Sequence, residues 1–139
     1  TGPTVNPTPR SEADVQGRSA QMIVHIVLFR PRPGLAEEQR RRLADAFADA
    51  IDNIGAIKRA RIGRRRTHGR AYEQLMREDY SYAAILEFDD LAGLRAYLEH
   101  PAHTELGSRF FDCFEQALMY DFDVHDGHVG LNTLLEEEL

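Results

Sequence analysis

The sequence predicts one α+β domain with the element order β-α-β-β-α-β, an antiparallel four-stranded sheet with its helices on one face. Three observations point there. Met22 to Arg30 is rich in β-branched residues and apolar on both alternations, as in a strand covered on both faces. Leu35 to Ile54 repeats apolar positions at the three-and-four spacing of an amphipathic helix. Tyr82, Ala84, Leu86 and Phe88, and later Leu118, Tyr120, Phe122 and Val124, alternate with period two. At 139 residues, with 42% hydrophobic and 29% charged residues, the chain has the length of one domain and enough apolar matter to fill a core without metals or disulfides.

Residues 1–20 hold Pro3, Pro7, Pro9 and many small polar side chains, too little apolar surface to offset the entropy of ordering, so a flexible arm is expected. Strand one follows and is ended by Pro31, Pro33 and Gly34. The first helix carries Leu43, Phe47, Ala50, Ile51 and Ile54 on one stripe, with Gly55 as its stop. Glu37 and Glu38 precede Arg41 and Arg42 by four residues, so the basic run Arg40 to Arg42 reads as a solvated, ion-paired face. Residues 57–66 read as a second strand and Tyr80 to Phe88 as a third, with a loop between them. Asp89 or Asp90 caps a short helix bearing Leu91, Leu94, Tyr97 and Leu98, and Pro101 interrupts it. A third helix, from Pro101 or Thr104 to Glu115, places Leu106, Phe110, Cys113 and Phe114 on one stripe, and Leu118 to Val124 is the last strand. The folded unit therefore spans residues 21–125, with a tail over 126–139 that has room for a short helical turn.

This order is the split βαβ, or ferredoxin-like, arrangement. It leaves Val24, Ile26 and Leu28 of the first strand and Leu118, Tyr120, Phe122 and Val124 of the last as an apolar patch on the face away from the helices, and a second copy is the simplest cover, predicting a homodimer. A net charge of -6 argues against non-specific nucleic-acid binding. Cys113 is the only cysteine, no apolar run approaches the ~20 residues that span a bilayer, and the first residues lack the basic-then-apolar order of a signal peptide. The expected setting is the cytoplasm, with no membrane partner.

Periodicity also predicts a convergence of polar groups. His103 lies three residues before Leu106 and seven before Phe110, on the inward stripe of the third helix, and Tyr97 shares a face with Leu94. His25 alternates with Val27 and Phe29 and faces the helices if Val24, Ile26 and Leu28 face a second copy. With the last strand beside the first, Asp121 can reach His25. A ligand in the space so formed would meet His25, Val27 and Phe29 of the first strand and Phe47 of the first helix. It would also meet Tyr82 and Ala84 of the third strand, Leu106 and Asp121. Histidine, with an unperturbed pKa of about 6.5, suits a general base near neutrality, although a histidine facing a core is more often held structurally by a carboxylate or backbone group. His25, His100, His103 and Asp121 are metal-ligand types, but their spacing matches no strong zinc signature, and neither a metal nor a cofactor is expected. The basic stretch Gly63 to Arg70 is suited to an anionic group or to acids of a partner, such as the Glu136 to Glu138 tail, but such loops are more often solvated surface. Cys113, within an apolar stripe, reads as core.

The opening Met-Ile-Val-His-Ile-Val-Leu-Phe-Arg with Pro33-Gly34, then Glu87-Phe88-Asp89 leading into Leu94-Arg95-Ala96-Tyr97-Leu98, His100-Pro101-Ala102-His103 and the closing Tyr120-Asp121-Phe122 together resemble the stress-responsive dimeric A/B barrel (Dabb) family. The resemblance implies a ferredoxin-like homodimer with a pocket between sheet and helices. The family includes a cofactor-free plant polyketide cyclase in which a histidine and a tyrosine do the acid–base work. Those residues fall on His103 and Tyr97, and the cyclase's first-strand histidine and last-strand aspartate fall on His25 and Asp121. This chain departs from the cyclase on the third strand, where Tyr82 replaces a pocket histidine. Two functions stay open: a cofactor-independent cyclase- or lyase-like enzyme acting on a carbonyl-containing or aromatic compound, and a non-catalytic stress-associated dimer. A cofactor-free monooxygenase or haem-handling protein on the same plan fits less well, because tryptophan and a haem-ligand context are missing.

Overall fold

The computed structural model describes residues 21–136; the expected arm over 1–20 and the last three residues of the tail lie outside the described residues. Strand β1 (Met22–Pro31) leads into helix α1 (Glu37–Asn53), strand β2 (Arg59–Arg64), strand β3 (Tyr82–Phe88), helices α2 (Leu91–Glu99) and α3 (Pro101–Cys113), and strand β4 (Phe114–Val124). The sheet order is β2-β3-β1-β4 with every neighbouring pair antiparallel, so the last strand lies beside the first and the ferredoxin-like α+β fold is established. A short helix, α4 (Gly127–Leu131), and a 3-10 turn (Asn132–Leu135) follow. Among the described residues no helix is long and apolar enough to cross a membrane.

Each boundary has a local cause. Gly34, at φ +73°, makes the turn after β1 in a backbone region that favours glycine. Glu37 and Glu38 sit in the first turn of α1, where the helix dipole favours acids, and pair with Arg41 and Arg42 one turn on. Of the two candidate caps for α2 it is Asp90 that acts, its Oδ1 accepting from the Gly93 amide at 2.8 Å. His100 then ends α2 and caps α3: its Nδ1 accepts from the Ala102 amide at 3.0 Å while Pro101 occupies the first turn, where its missing N–H is harmless.

Three expectations need correction. The helical stripe drawn through Phe114 and Glu115 stops at Cys113, and β4 begins at Phe114, four residues earlier than Leu118. Phe114 lies one helical turn beyond Phe110, so spacing alone favours a helix. The backbone instead turns extended there (φ −107°, ψ 140°), and the ring still packs on Phe110 and Phe29, with centroids 3.8 and 4.6 Å apart. The second strand is six residues long rather than ten, an edge strand carrying charged, exposed side chains. Ile51, expected in the core, is 39% exposed, whereas Ala46, next to the stripe, is buried.

The core forms between the sheet and the helices. Ile23, Leu86, Phe88, Leu94, Tyr97 and Leu106 build one cluster, and Val27, Phe29, Ala84 and Phe110 a second. Cys113 is buried, its thiol pushed up by burial and by Asp112, which makes it packing matter and a poor nucleophile. On the opposite sheet face Val24 is buried, but the described residues leave Leu118 36%, Phe122 48% and Tyr120 56% exposed.

Candidate functional site

The antiparallel register sets His25 opposite Leu86 on one side and Asp121 on the other, and Val27 opposite Ala84 and Met119. Because side chains alternate across a strand, all six lie on the helix-facing side. The α2 periodicity drops Tyr97, 3% exposed, onto this surface, and α3 brings His103 down beside it. The Tyr97 and His103 rings meet edge to face with centroids 4.6 Å apart, and the His25 ring lies 5.9 Å from that of Tyr97. Asp121 Oδ1 is 2.5 Å from His25 Nδ1, a pair whose histidine is buried and whose carboxylate is half exposed.

His25, Tyr97 and His103 wall a hollow of about 210 Å³, completed by apolar side chains from the sheet and the three helices. His25, Val27, Phe47, Ala84, Tyr97, His103 and Leu106, all expected at the site, line it. Asp121 reaches it only through His25. Phe29 and Tyr82 do not line it: their rings stack 5.5 Å apart one step further along the strands, within an aromatic group that includes Phe110 and Phe114, and they border a neighbouring hollow instead. Leu86, Leu98, Gly107, Phe110, Phe111 and Met119 also line the cavity. Leu86 shares an alternation with Ala84, Met119 with Asp121, and Gly107 and Phe110 follow His103 by four and seven residues, so their periodicity marks them. Leu98 and Phe111 carry no such signal.

Burial has opposite consequences for the two central groups. It pushes the Tyr97 hydroxyl up to about 12, so the phenol keeps its proton at neutral pH and remains a hydrogen-bond donor. It holds the His103 imidazole below its ordinary value, helped by nearby His25 and opposed by the Leu98 carbonyl, so His103 is neutral and able to accept a proton. Asp121 accepts from Nδ1–H of His25 and so fixes the orientation of that ring. A neutral base, a retained phenol proton and an oriented second histidine in one small cavity are the parts needed to move a proton on a bound molecule.

His100 does not join this group, being occupied with the α3 amide. Among the described residues no three His, Cys, Asp or Glu side chains come together in a way that would hold a metal ion. In the basic loop, Arg65 pairs with Asp79 at 2.6 Å, and Glu73 accepts from the amides of His68 and Arg70, which draws its carboxyl below the usual range.

The model of the stress-responsive A/B barrel domain matches residues 23–124, and the chain belongs to that family, Dabb. Olivetolic acid cyclase from Cannabis sativa is 20% identical over 100 residues, covering 72% of this chain and 94% of the cyclase. The hydroxynitrile lyase from Passiflora edulis superposes with a TM-score of 0.64 at 19% identity, over 78% of this chain and 97% of the lyase, a likeness of fold. A dimeric ferredoxin-like protein of unknown function from Jannaschia sp. superposes with a TM-score of 0.58 at 25% identity, over 74% of this chain and 99% of that one.

Proposed function

We propose that the chain forms a homodimer through the open face of its sheet and that the His103 cavity performs cofactor-independent acid–base chemistry, cyclase- or lyase-like, on a small carbonyl-containing or aromatic compound. The observation that carries this reading is the pairing of a neutral His103 with a protonated Tyr97 in one hollow. His103 takes a proton from the carbon beside a carbonyl, the C–H electron pair forms the C=C bond of the enolate as the carbonyl π pair moves onto oxygen, and Tyr97 donates a hydrogen bond to that oxygen. His25, oriented by Asp121, holds the other end of the compound. The names of the cyclase and lyase relatives favour this class of chemistry. The placement of Tyr82 outside the hollow favours a substrate unlike the cyclase's. For assembly, the support is the exposed row Leu118, Tyr120 and Phe122 together with the dimeric description of the Jannaschia protein. The single buried Cys113 suits a cytoplasmic setting.

A volume of about 210 Å³ lies below the ~300–1,000 Å³ usual for ligand pockets, which favours a second reading, a non-catalytic stress-associated dimer whose hollow is a packing remnant. Exchange of the carbon-bound protons of acetylacetone and acetophenone in D2O, followed by NMR, separates the two. Under the enzymatic reading the wild-type chain accelerates exchange, His103→Gln slows it at least about a hundredfold, and the rate rises with pH through a value below 6.5 as His103 loses its proton. Exchange no faster than in buffer supports the non-catalytic reading, and full activity in His103→Gln removes His103 as the base.

A further inference from the structure

Residues 65–81 join β2 to β3 by a connection longer than the roughly 12–15 residues beyond which loops are usually functional. It is braced along its length. Arg65 pairs with Asp79 at 2.6 Å, and Arg30 reaches across from β1 to Glu78 at 3.1 Å. Glu73 accepts from the His68 and Arg70 amides, and the His68 ring meets the Tyr72 hydroxyl at 2.8 Å. Yet the apolar residues of this ordered loop face solvent: Tyr72 and Met76 are about half exposed and Leu75 is 75% exposed. Arg66, Arg70 and Arg77, between and beside them in the sequence, are also exposed and have no carboxylate partner among the described residues. Fixing the backbone here costs entropy that these side chains do not offset within the chain.

The tail has the complementary composition. α4 and the 3-10 turn after it pack chiefly on each other and leave Leu134 77% and Leu135 85% exposed. Glu136, Glu137 and Glu138 follow, and residues 126–139 contain no lysine or arginine. Strand register sets the two surfaces at opposite ends of the sheet. The loop leaves the end where Phe29 faces Tyr82 and the tail leaves the end where Met22 faces Val124, ~23 Å apart along β1 at the usual rise of a strand. A two-fold axis lying across the strands reverses their direction and carries the tail end of one sheet to the loop end of its partner.

We propose that in the homodimer the tail of each copy docks on the β2–β3 loop of the other. Leu134 and Leu135 cover Tyr72, Leu75 and Met76, while Glu136 to Glu138 pair with Arg66, Arg70 and Arg77. This rests on the proposed dimer and extends its contact, because the tail continues from β4, the strand that carries the exposed Leu118, Tyr120 and Phe122. Burial of the leucines drives association. The charges select the pairing, since loop on loop or tail on tail would set like charges against each other.

Cross-linking and charge reversal test the contact. Full chains carrying Tyr72→Cys and Leu135→Cys, co-expressed under different tags, should form a disulfide between chains on mild oxidation, and neither variant should do so with the wild type. Reversing the loop (Arg66→Glu, Arg70→Glu, Arg77→Glu) or the tail (Glu136→Arg, Glu137→Arg, Glu138→Arg) should weaken dimerisation about tenfold in analytical ultracentrifugation, and both reversals in one chain should restore it to within about threefold. A wild-type chain that sediments as a monomer overturns the dimer and the docking together. A dimer that forms no such link, a link that forms within a doubly substituted chain but not between chains, or reversals that do not rescue each other overturns the docking alone. So does a loop reversal that leaves the dimer intact and abolishes retention on heparin, which would give the arginines to an outside polyanion.

Discussion

On the helix-covered side of the sheet, Ile23, Val27 and Phe29 of β1 and Leu86 and Phe88 of β3 are at most 6% exposed, whereas Tyr120 and Phe122 on the other side are about half exposed. Both surfaces are made of large apolar residues, and both flank the same hydrogen-bonded ladder. The difference lies in what covers them. Helices α1, α2 and α3 close one side, so burial there contributes to the stability of the single chain. On the other side the described residues leave Leu118, Tyr120 and Phe122 exposed, and that is the surface the proposed second copy would cover. The candidate site sits on the closed side, where desolvation shifts His103 and Tyr97, while the open side carries the proposed contact with a second copy.

Substitutions on the two faces should therefore fail in different ways. The largest effect is expected for Phe88→Ala, which deletes a fully buried ring and should destabilise the chain by about 3–5 kcal/mol in urea or thermal unfolding. A loss below about 1 kcal/mol would mean that the covered face is not the principal core. Next comes Phe122→Asp on the open face. It should leave the far-ultraviolet spectrum unchanged and weaken dimerisation by about 2 kcal/mol or more, read by analytical ultracentrifugation; a chain that remains as tightly dimeric as before would move the interface elsewhere. The smallest effect concerns His103. Its folded-state pKa lies below the ordinary 6.5, so the native state resists protonation: the stability contributed by the neutral ring is present above the ordinary value and fades as pH falls through the depressed one. Urea midpoints should therefore drop more between pH 7.5 and 5.5 for the wild-type chain than for His103→Gln, and identical drops would show that His103 titrates as it does in water.

Strand and helix periodicities carry far in this chain. His25, Val27 and Phe29 share the covered face, His103 and Tyr97 point inward, and Asp121 meets His25, all as the alternation and the ferredoxin-like strand order require. Where the sequence misleads, the cause is local ambiguity. Phe114 continues a helical spacing yet starts a strand, because a residue four beyond Phe110 reaches the same aromatic cluster in either conformation. Tyr82 and Phe29 lie on the correct face but not at the His103 cavity, because alternation says which side a residue faces and not how far along the strand a cavity extends.

The sequence by itself determines the order of elements, the inward side of each, and the residue types available for proton transfer, since these follow from spacing and side-chain chemistry along a single chain. Only the tertiary structure decides that Phe47 lies between two hollows and that His100 caps a helix while His103 faces a cavity. Those outcomes depend on distances between segments far apart in the chain. Such distances are fixed by how side chains of particular volume fill the space between sheet and helices.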